Sequence, residues 1–198
     1  MSPARAPLRR LLYLVTGWGS VGAAYAFGTR YAGHAAVLPT LALDGAIGHH
    51  PAAIYCYLSF FLFVPFAYGQ APAVRLPWLT LAMQGCALVA AITFALWPTT
   101  AAPLPSGAPP LAHWLAGMDT PANCMPSLHG ALSVLCAWAL LHGRRPFQSA
   151  LATAWALLIC WSAVALRRHL VVDLTAGMFL GVLCGAALLP ARRWRRSW

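Results

Sequence analysis

Lysine and glutamate are absent from this 198-residue chain, and only Asp44, Asp119 and Asp173 carry negative charge. Charged residues make up 8% of the sequence, where a soluble globular protein carries roughly a quarter. That scarcity excludes an ordinary soluble domain, and with 61% hydrophobic residues it marks an all-α integral membrane protein. The net charge of +10 comes from thirteen arginines. In so apolar a chain arginine reports topology and lipid headgroup contact. The arginine–aromatic pattern of a nucleic-acid module is missing, so no nucleic-acid partner is expected. None of the six cysteines (Cys56, Cys86, Cys124, Cys136, Cys160 and Cys184) forms a CxxC, and five lie inside apolar runs. They read as small buried residues, with neither a zinc site nor a disulfide framework. No metal and no cofactor is expected.

What is present is a series of long apolar runs. The spacing predicts six transmembrane helices in one bundle, over residues 11–28, 52–68, 78–97, 127–142, 147–166 and 169–189. The first run has the outline of a signal peptide, with Arg5, Arg9 and Arg10 ahead of it and Ala24-Tyr25-Ala26 near its end. Its length favours a retained helix, in which Gly17, Gly19 and Gly22 would allow close packing. Pro65 should lie near the end of the second span or at a kink. A short interfacial helix is expected over residues 111–118. Six spans put both termini on one side. Ten arginines share that side and three, Arg30, Arg167 and Arg168, lie opposite. The positive-inside rule then places both termini in the cytoplasm. Residues 1–198 read as a single domain without repeats, with a core over about 40–190 and a basic, aromatic tail over 191–198. The alanine- and arginine-rich, lysine-free usage fits a GC-rich bacterial genome, hence an inner membrane with its outer face in the periplasm. No feature reports the oligomeric state.

Two polar stretches interrupt this pattern, and both fall on the predicted outer face. The first is Asn123-Cys-Met-Pro-Ser-Leu-His129 and the second is Arg167-Arg-His-Leu-Val-Val-Asp173. An acid one turn inside a membrane helix is costly, so Asp173 reads as functional. His169 and Asp173 are four apart, on one face of a helix, where a carboxylate fixes the imidazole tautomer and frees its other nitrogen. His129 sits at matching depth and can donate a proton to a leaving group. Arg167 and Arg168 offer bidentate bonds to phosphate. Ser127 can cap the fourth helix, whose N–H groups would also face an anion. Together these groups suit metal-free phosphoryl transfer through a histidine nucleophile. Asp44 is read as either a structural cap or a substrate contact.

Pro126-Ser-Leu-His129, followed forty residues later by His169-x-x-x-Asp173, resembles the type-2 phosphatidic acid phosphatase superfamily of membrane lipid phosphatases and phosphotransferases. The Pro-Ser-Leu-His form, with Asp119 to Asn123 before it and Gly177 after Asp173, is similar to its branch containing inositol phosphorylceramide synthases. Asp44, Pro51, Tyr55 and Tyr57 resemble that branch's upstream region. The resemblance implies His169 as nucleophile, Asp173 as its orienting partner and His129 as general acid. It also implies six helices, lipid phosphate substrates and no metal. The phosphate-binding set expected here is Arg168, Arg167 and Ser127, with Asn123 and His50 beside them. The family's first motif is absent: Pro103-Leu104-Pro105 stands where an arginine–proline pair belongs, and Ala163 where an arginine six before the nucleophile belongs. Phosphate neutralisation would then fall on Arg167 and Arg168, with Arg30, His49 or His50. Three readings stay open: a lipid phosphatase, a transferase moving a phospho-headgroup to a lipid alcohol such as ceramide, and a non-catalytic lipid-binding or transport protein.

Overall fold

The computed structural model of the protein describes residues 5–30, 35–101, 110, 122–141 and 145–189; the side chains of residues 5 and 28–30 lie outside that description. The order is α1 (Arg5–Arg30), β1 (Ala36–Val37), α2 (Ala42–Ile47), α3 (Ile54–Leu58), α4 (Phe60–Gln70), α5 (Leu76–Leu96), β2 (Thr99–Thr100), α6 (Leu128–Leu140), α7 (Pro146–Ala165) and α8 (Val171–Ala187). The all-helical expectation holds, with one addition. The two-residue strands β1 and β2 pair in parallel, Ala36 with Thr99 and Val37 with Thr100. Expectations placed on His34, residues 103–105, the 111–118 helix, Asp119, Arg144 and the 191–198 tail fall outside the described residues.

Three helical segments, Pro51–Gln70, Ala73–Leu96 and Pro146–Ala165, are long and apolar enough to cross a membrane. Large apolar side chains on them point outward: Leu62, Leu81, Leu88 and Phe147 are all more than half exposed. Such a surface is unsuited to water and suited to lipid, and the chain is an integral membrane protein. The apolar helices α6 and α8 are shorter, at 13 and 17 residues. The longer α1, at 26 residues, is diluted by Thr16, Ser20 and several glycines.

The second predicted span is present as one helical segment, Pro51–Gln70. It opens with a 3₁₀ turn at Pro51–Ala53 and runs through α3 and α4, with Pro65 inside α4. At Ser59, where α3 meets α4, the ladder continues: the Ser59 N–H donates to the Tyr55 carbonyl at 3.1 Å and its carbonyl accepts the Phe63 N–H at 2.9 Å. The Ser59 hydroxyl donates to the Cys56 carbonyl at 2.6 Å and accepts from Trp155 Nε1 at 2.8 Å, which ties this segment to α7.

Arginines close one end of the bundle. Arg10 donates to the carbonyls of Tyr68 and Ala71 at 2.7 and 2.9 Å, at the C-terminus of α4. Arg75 is fully buried and donates to the carbonyls of Ala139, at 3.0 Å, and Leu141, at the C-terminus of α6. Cations there satisfy orphan carbonyls and complement the helix dipole. The start of α1, the α4–α5 turn and the end of α6 therefore share one end. Both polar motifs lie at the other.

The helices that carry those motifs meet through glycine. A Cβ on Gly177 would sit 2.0 Å from the Ser127 carbonyl oxygen, and one on Gly181 would sit 2.6 Å from that of Ala131. Without side chains there, the backbones of α6 and α8 touch. Gly17 of α1 makes room for the Tyr68 side-chain hydroxyl, whereas Gly19 and Gly22 have nothing within 4 Å and contribute no close packing. Gly177→Ala should therefore lower stability in detergent by about 1–3 kcal/mol or more, as overpacking does. Gly22→Ala should be neutral or slightly stabilising. Thermal unfolding of the two variants beside the parent measures the difference.

Candidate active site

The second motif begins where α7 ends. Arg167 adopts a left-handed conformation, φ 58°, which turns the chain out of the helix. The Ala163 carbonyl then accepts the N–H groups of both Arg168, at 3.0 Å, and His169, at 3.1 Å. Helix α8 starts only at Val171, with Leu170 as its N-cap. His169 thus precedes the helix and is not part of its first turn, contrary to the sequence reading. The contact with Asp173 survives because Asp173 occupies the third helical position and reaches back. Its Oδ1 accepts the Leu170 N–H at 2.6 Å, a capping contact. Its Oδ2 accepts His169 Nδ1–H at 2.6 Å.

With Nδ1 donating to the carboxylate, a neutral His169 has its lone pair on Nε2. That nitrogen faces His129 Nδ1 at 3.3 Å. The hydrogen-bond network then assigns the proton between them to His129 Nδ1. His129 Nε2 is buried and has no hydrogen-bond partner among the described residues. The ring of His129 lies between two aromatics, stacked on Tyr57 at 4.6 Å and tilted against Phe60 at 4.5 Å. Those contacts fix its plane. Ser127 is fully buried and caps α6: its Oγ accepts the Gly130 N–H at 3.3 Å. Its own N–H donates to the Asp173 carbonyl at 3.0 Å. One backbone bond therefore registers the His129 helix against the His169 motif.

The remaining predicted residues separate. Arg168 reaches the Tyr57 hydroxyl with its side chain, and its charge acts on His129, so it belongs to the cluster. Arg167 is half-buried in the adjoining turn. Asn123 is buried and pairs its backbone with Thr99, directly before Cys124. His50 is not brought to the histidine pair. Its Nε2 contacts the Ile47 carbonyl at 2.9 Å and its ring lies 5.8 Å from Trp161, because its backbone N–H is drawn to the Ala165 carbonyl at the end of α7.

Asp44 has a structural role. It is fully buried, and its Oδ2 accepts the Leu41 N–H at 2.7 Å within its own helix start. Its Oδ1 accepts the Val171 N–H at 2.8 Å, 127 residues away at the start of α8. Two carboxylates, Asp44 and Asp173, thus satisfy the first turn of one helix.

Sequence reasoning missed two contributors, and marked a third, Tyr57, only through the resemblance of its upstream region. Phe60 lies in an apolar run where aromatics are unremarkable, and nothing local distinguishes it. Cys124 offered a signal, since it stands inside the first motif, outside the apolar runs. Its Sγ lies 2.9 Å from Asp173 Oδ2 and 4.0 Å from His169 Nδ1. Cys124, His169 and Asp173 are also the side chains here whose donor types suit a metal ion. Their separations of 2.6 and 2.9 Å to the shared oxygen are hydrogen-bond distances, whereas two ligands of one tetrahedral zinc ion stand about 3.4 Å apart. The cluster as built is a hydrogen-bonded one.

Replacing Asp44 by alanine would strand two backbone donors. We expect Asp44→Ala to lower unfolding stability in detergent by about 2–3 kcal/mol. Asp44→Asn, which keeps an acceptor oxygen, should lose less. Denaturant or thermal unfolding of the two variants checks the order.

Two polar motifs from distant parts of the chain, joined at one end of a membrane bundle with histidine, aspartate and arginine side chains, match the chemistry of phosphate esters. No curated protein and no solved structure matches the chain. A family model does: the PAP2 superfamily model matches residues 84–197, which take in both motifs. The chain belongs to the PAP2 superfamily, whose members are phosphatases and phosphotransferases acting on phosphate esters.

Proposed function

We propose that the protein is a lipid phosphatase or phosphotransferase that works without a metal, through a phosphohistidine intermediate. The observation that carries this reading is the pair of imidazole nitrogens, His169 Nε2 and His129 Nδ1, 3.3 Å apart, with Asp173 behind the first. Asp173 holds the Nδ1 proton of His169 and leaves Nε2 as the nucleophile. A phosphate entering between the rings is attacked at phosphorus by Nε2. The bond to the leaving oxygen breaks, and that oxygen takes the Nδ1 proton of His129, which enters the step as the imidazolium and leaves it neutral. His129 then accepts a proton from water or an alcohol, which attacks the phosphohistidine and frees His169. Arg168 neutralises the phosphate, with Arg167 at the mouth and the start of α6 at Ser127 behind it. Ser127 already uses its Oγ to cap α6, so its contribution is the capped helix end rather than a free hydroxyl.

In this reading α1, the α3–α4 segment, α5, α6, α7 and α8 are six crossings of a single-domain bundle. The cytoplasmic end is the one closed by Arg10 and Arg75, and the histidine pair opens to the outer face, the periplasm of a bacterial inner membrane. Substrates are lipid mono- or pyrophosphates, drawn from the surrounding membrane lipids. A second reading is supported by Pro126-Ser-Leu-His129, which is similar to the inositol phosphorylceramide synthase branch. There the acceptor is a lipid alcohol in place of water.

The test is phosphate release by purified protein on a panel of lipid mono- and pyrophosphates with EDTA present, half of the samples containing a lipid alcohol. Release that persists in EDTA and falls to background in His169→Ala supports the phosphatase reading. His129→Ala should cost about 10²–10⁴-fold in kcat, the usual share of general acid–base catalysis. Product formed only from a phospholipid donor and an alcohol together would move the reading to a transferase. Silence under all conditions would contradict both and favour lipid binding.

A further inference from the structure

Cys124 is the one cysteine that lies outside the helices. The other five lie on apolar helices, and all six are free thiols. Cys124 precedes α6 on a segment held rigidly from outside. Its N–H donates to the Thr99 carbonyl at 3.0 Å, and the next N–H, of Met125, donates to Thr99 Oγ1 at 2.9 Å. Its Cα is therefore positioned by β2 and not by the site. From there its thiol reaches into the site, 2.9 Å from Asp173 Oδ2, with the Arg168 carbonyl 3.8 Å away. Asp173 Oδ2 is the oxygen that also takes the His169 Nδ1 proton, at 2.6 Å.

We infer that Cys124 is a positioning residue for the reaction: its S–H donates to Asp173 Oδ2 and fixes the oxygen that orients His169. This rests on the phosphohistidine reading above. The physical need is specific. Asp173 is fully buried, and a buried carboxylate is stable only when its lone pairs meet donors. Among the described residues Oδ1 is anchored by the Leu170 N–H alone. With His169 as its only other donor, the carboxylate would turn about its χ2 torsion whenever the imidazole shifts during phosphorylation. The thiol is a second, immobile donor on Oδ2, supplied by a different segment. It keeps the carboxylate in plane with the imidazole N–H while Nε2 forms and breaks its bond to phosphorus. Cys124 lies 4.0 Å from His169 Nδ1 and acts through the aspartate, without touching the phosphate.

The experiment uses the full chain in detergent, with the lipid phosphate that the parent protein turns over best, and compares Cys124→Ser, Cys124→Ala and Cys124→Val. Serine keeps a donor; alanine and valine do not, and valine keeps the volume. We expect Cys124→Ala and Cys124→Val to lose about tenfold to a hundredfold in kcat at unchanged KM, as partners that orient a working histidine do. Single-turnover formation of the phosphoenzyme should slow by the same factor. Cys124→Ser should stay within about threefold of the parent, since its hydroxyl is also a donor. Cys124→Ala and Cys124→Val should lower the thermal midpoint, as loss of a donor to a buried carboxylate does, while all three stay folded at the assay temperature. Equal losses in serine and alanine variants, or activity losses that track unfolding, would overturn the inference and make Cys124 a packing residue. Parent activity abolished by EDTA and restored by zinc would also overturn it, by making the same three side chains a metal site. A parent protein inactive on every lipid phosphate would instead be a failure of the proposed function. An active parent with an inactive His169→Ala and an unchanged Cys124→Ala would sink this inference alone.

Discussion

A fully buried carboxylate in an apolar bundle is the constraint around which the rest is arranged. Asp173 has no solvent to share its charge with. Among the described residues its two oxygens instead meet three donors: the Leu170 N–H, the His169 imidazole and the Cys124 thiol. Each donor comes with a structural requirement. The Leu170 N–H is available because α8 begins there and leaves its first N–H groups unpaired. The imidazole is available because Arg167 turns the chain sharply after α7 and presents His169 just ahead of the helix. The thiol is available because β2 holds the segment before α6. Even the Asp173 carbonyl is used, as acceptor for Ser127 N–H, which brings α6 and its histidine into register.

The two ends of the bundle divide the polar work. At one end arginines bond the C-terminal carbonyls of α4 and α6, a use of cations that is structural as much as topological. Counting arginines by side treats them as surface charges. Arg75 is not one, since it is fully buried. At the other end Asp44 and Asp173 occupy one helix N-terminus, where negative charge is favoured. Between the ends, glycines allow α6 and α8 to touch, so the distance between the two histidine motifs is set by backbone contact rather than by adjustable side chains.

Much of this was legible in the sequence, and the gaps have physical reasons. The helices over 127–142, 147–166 and 169–189 appear at nearly those limits because long apolar runs with proline or polar caps leave little choice. The pairing of His169 with Asp173, and the approach of His129, were visible as spacing and motif. The position of His169 ahead of the helix was not, because a four-residue spacing fits both a helical turn and a capping contact. His50 was misplaced because a single backbone bond to distant Ala165 turns its ring toward Trp161. Phe60 belongs to the site through the ring of His129, and Tyr57 through that ring and Arg168; no periodicity in their own segment reports that. Asp44 could have been a substrate contact or a cap until the Val171 N–H was located beside it.

The mechanism turns on transfer of the phosphoryl group to His169. Rapid quench of the protein with a labelled lipid phosphate, followed by mapping of the label by mass spectrometry under alkaline conditions, tests that transfer. The expected result is an acid-labile, base-stable phosphate on His169, absent in His169→Ala. Label on another residue, or steady turnover by an enzyme that never becomes labelled, would contradict it.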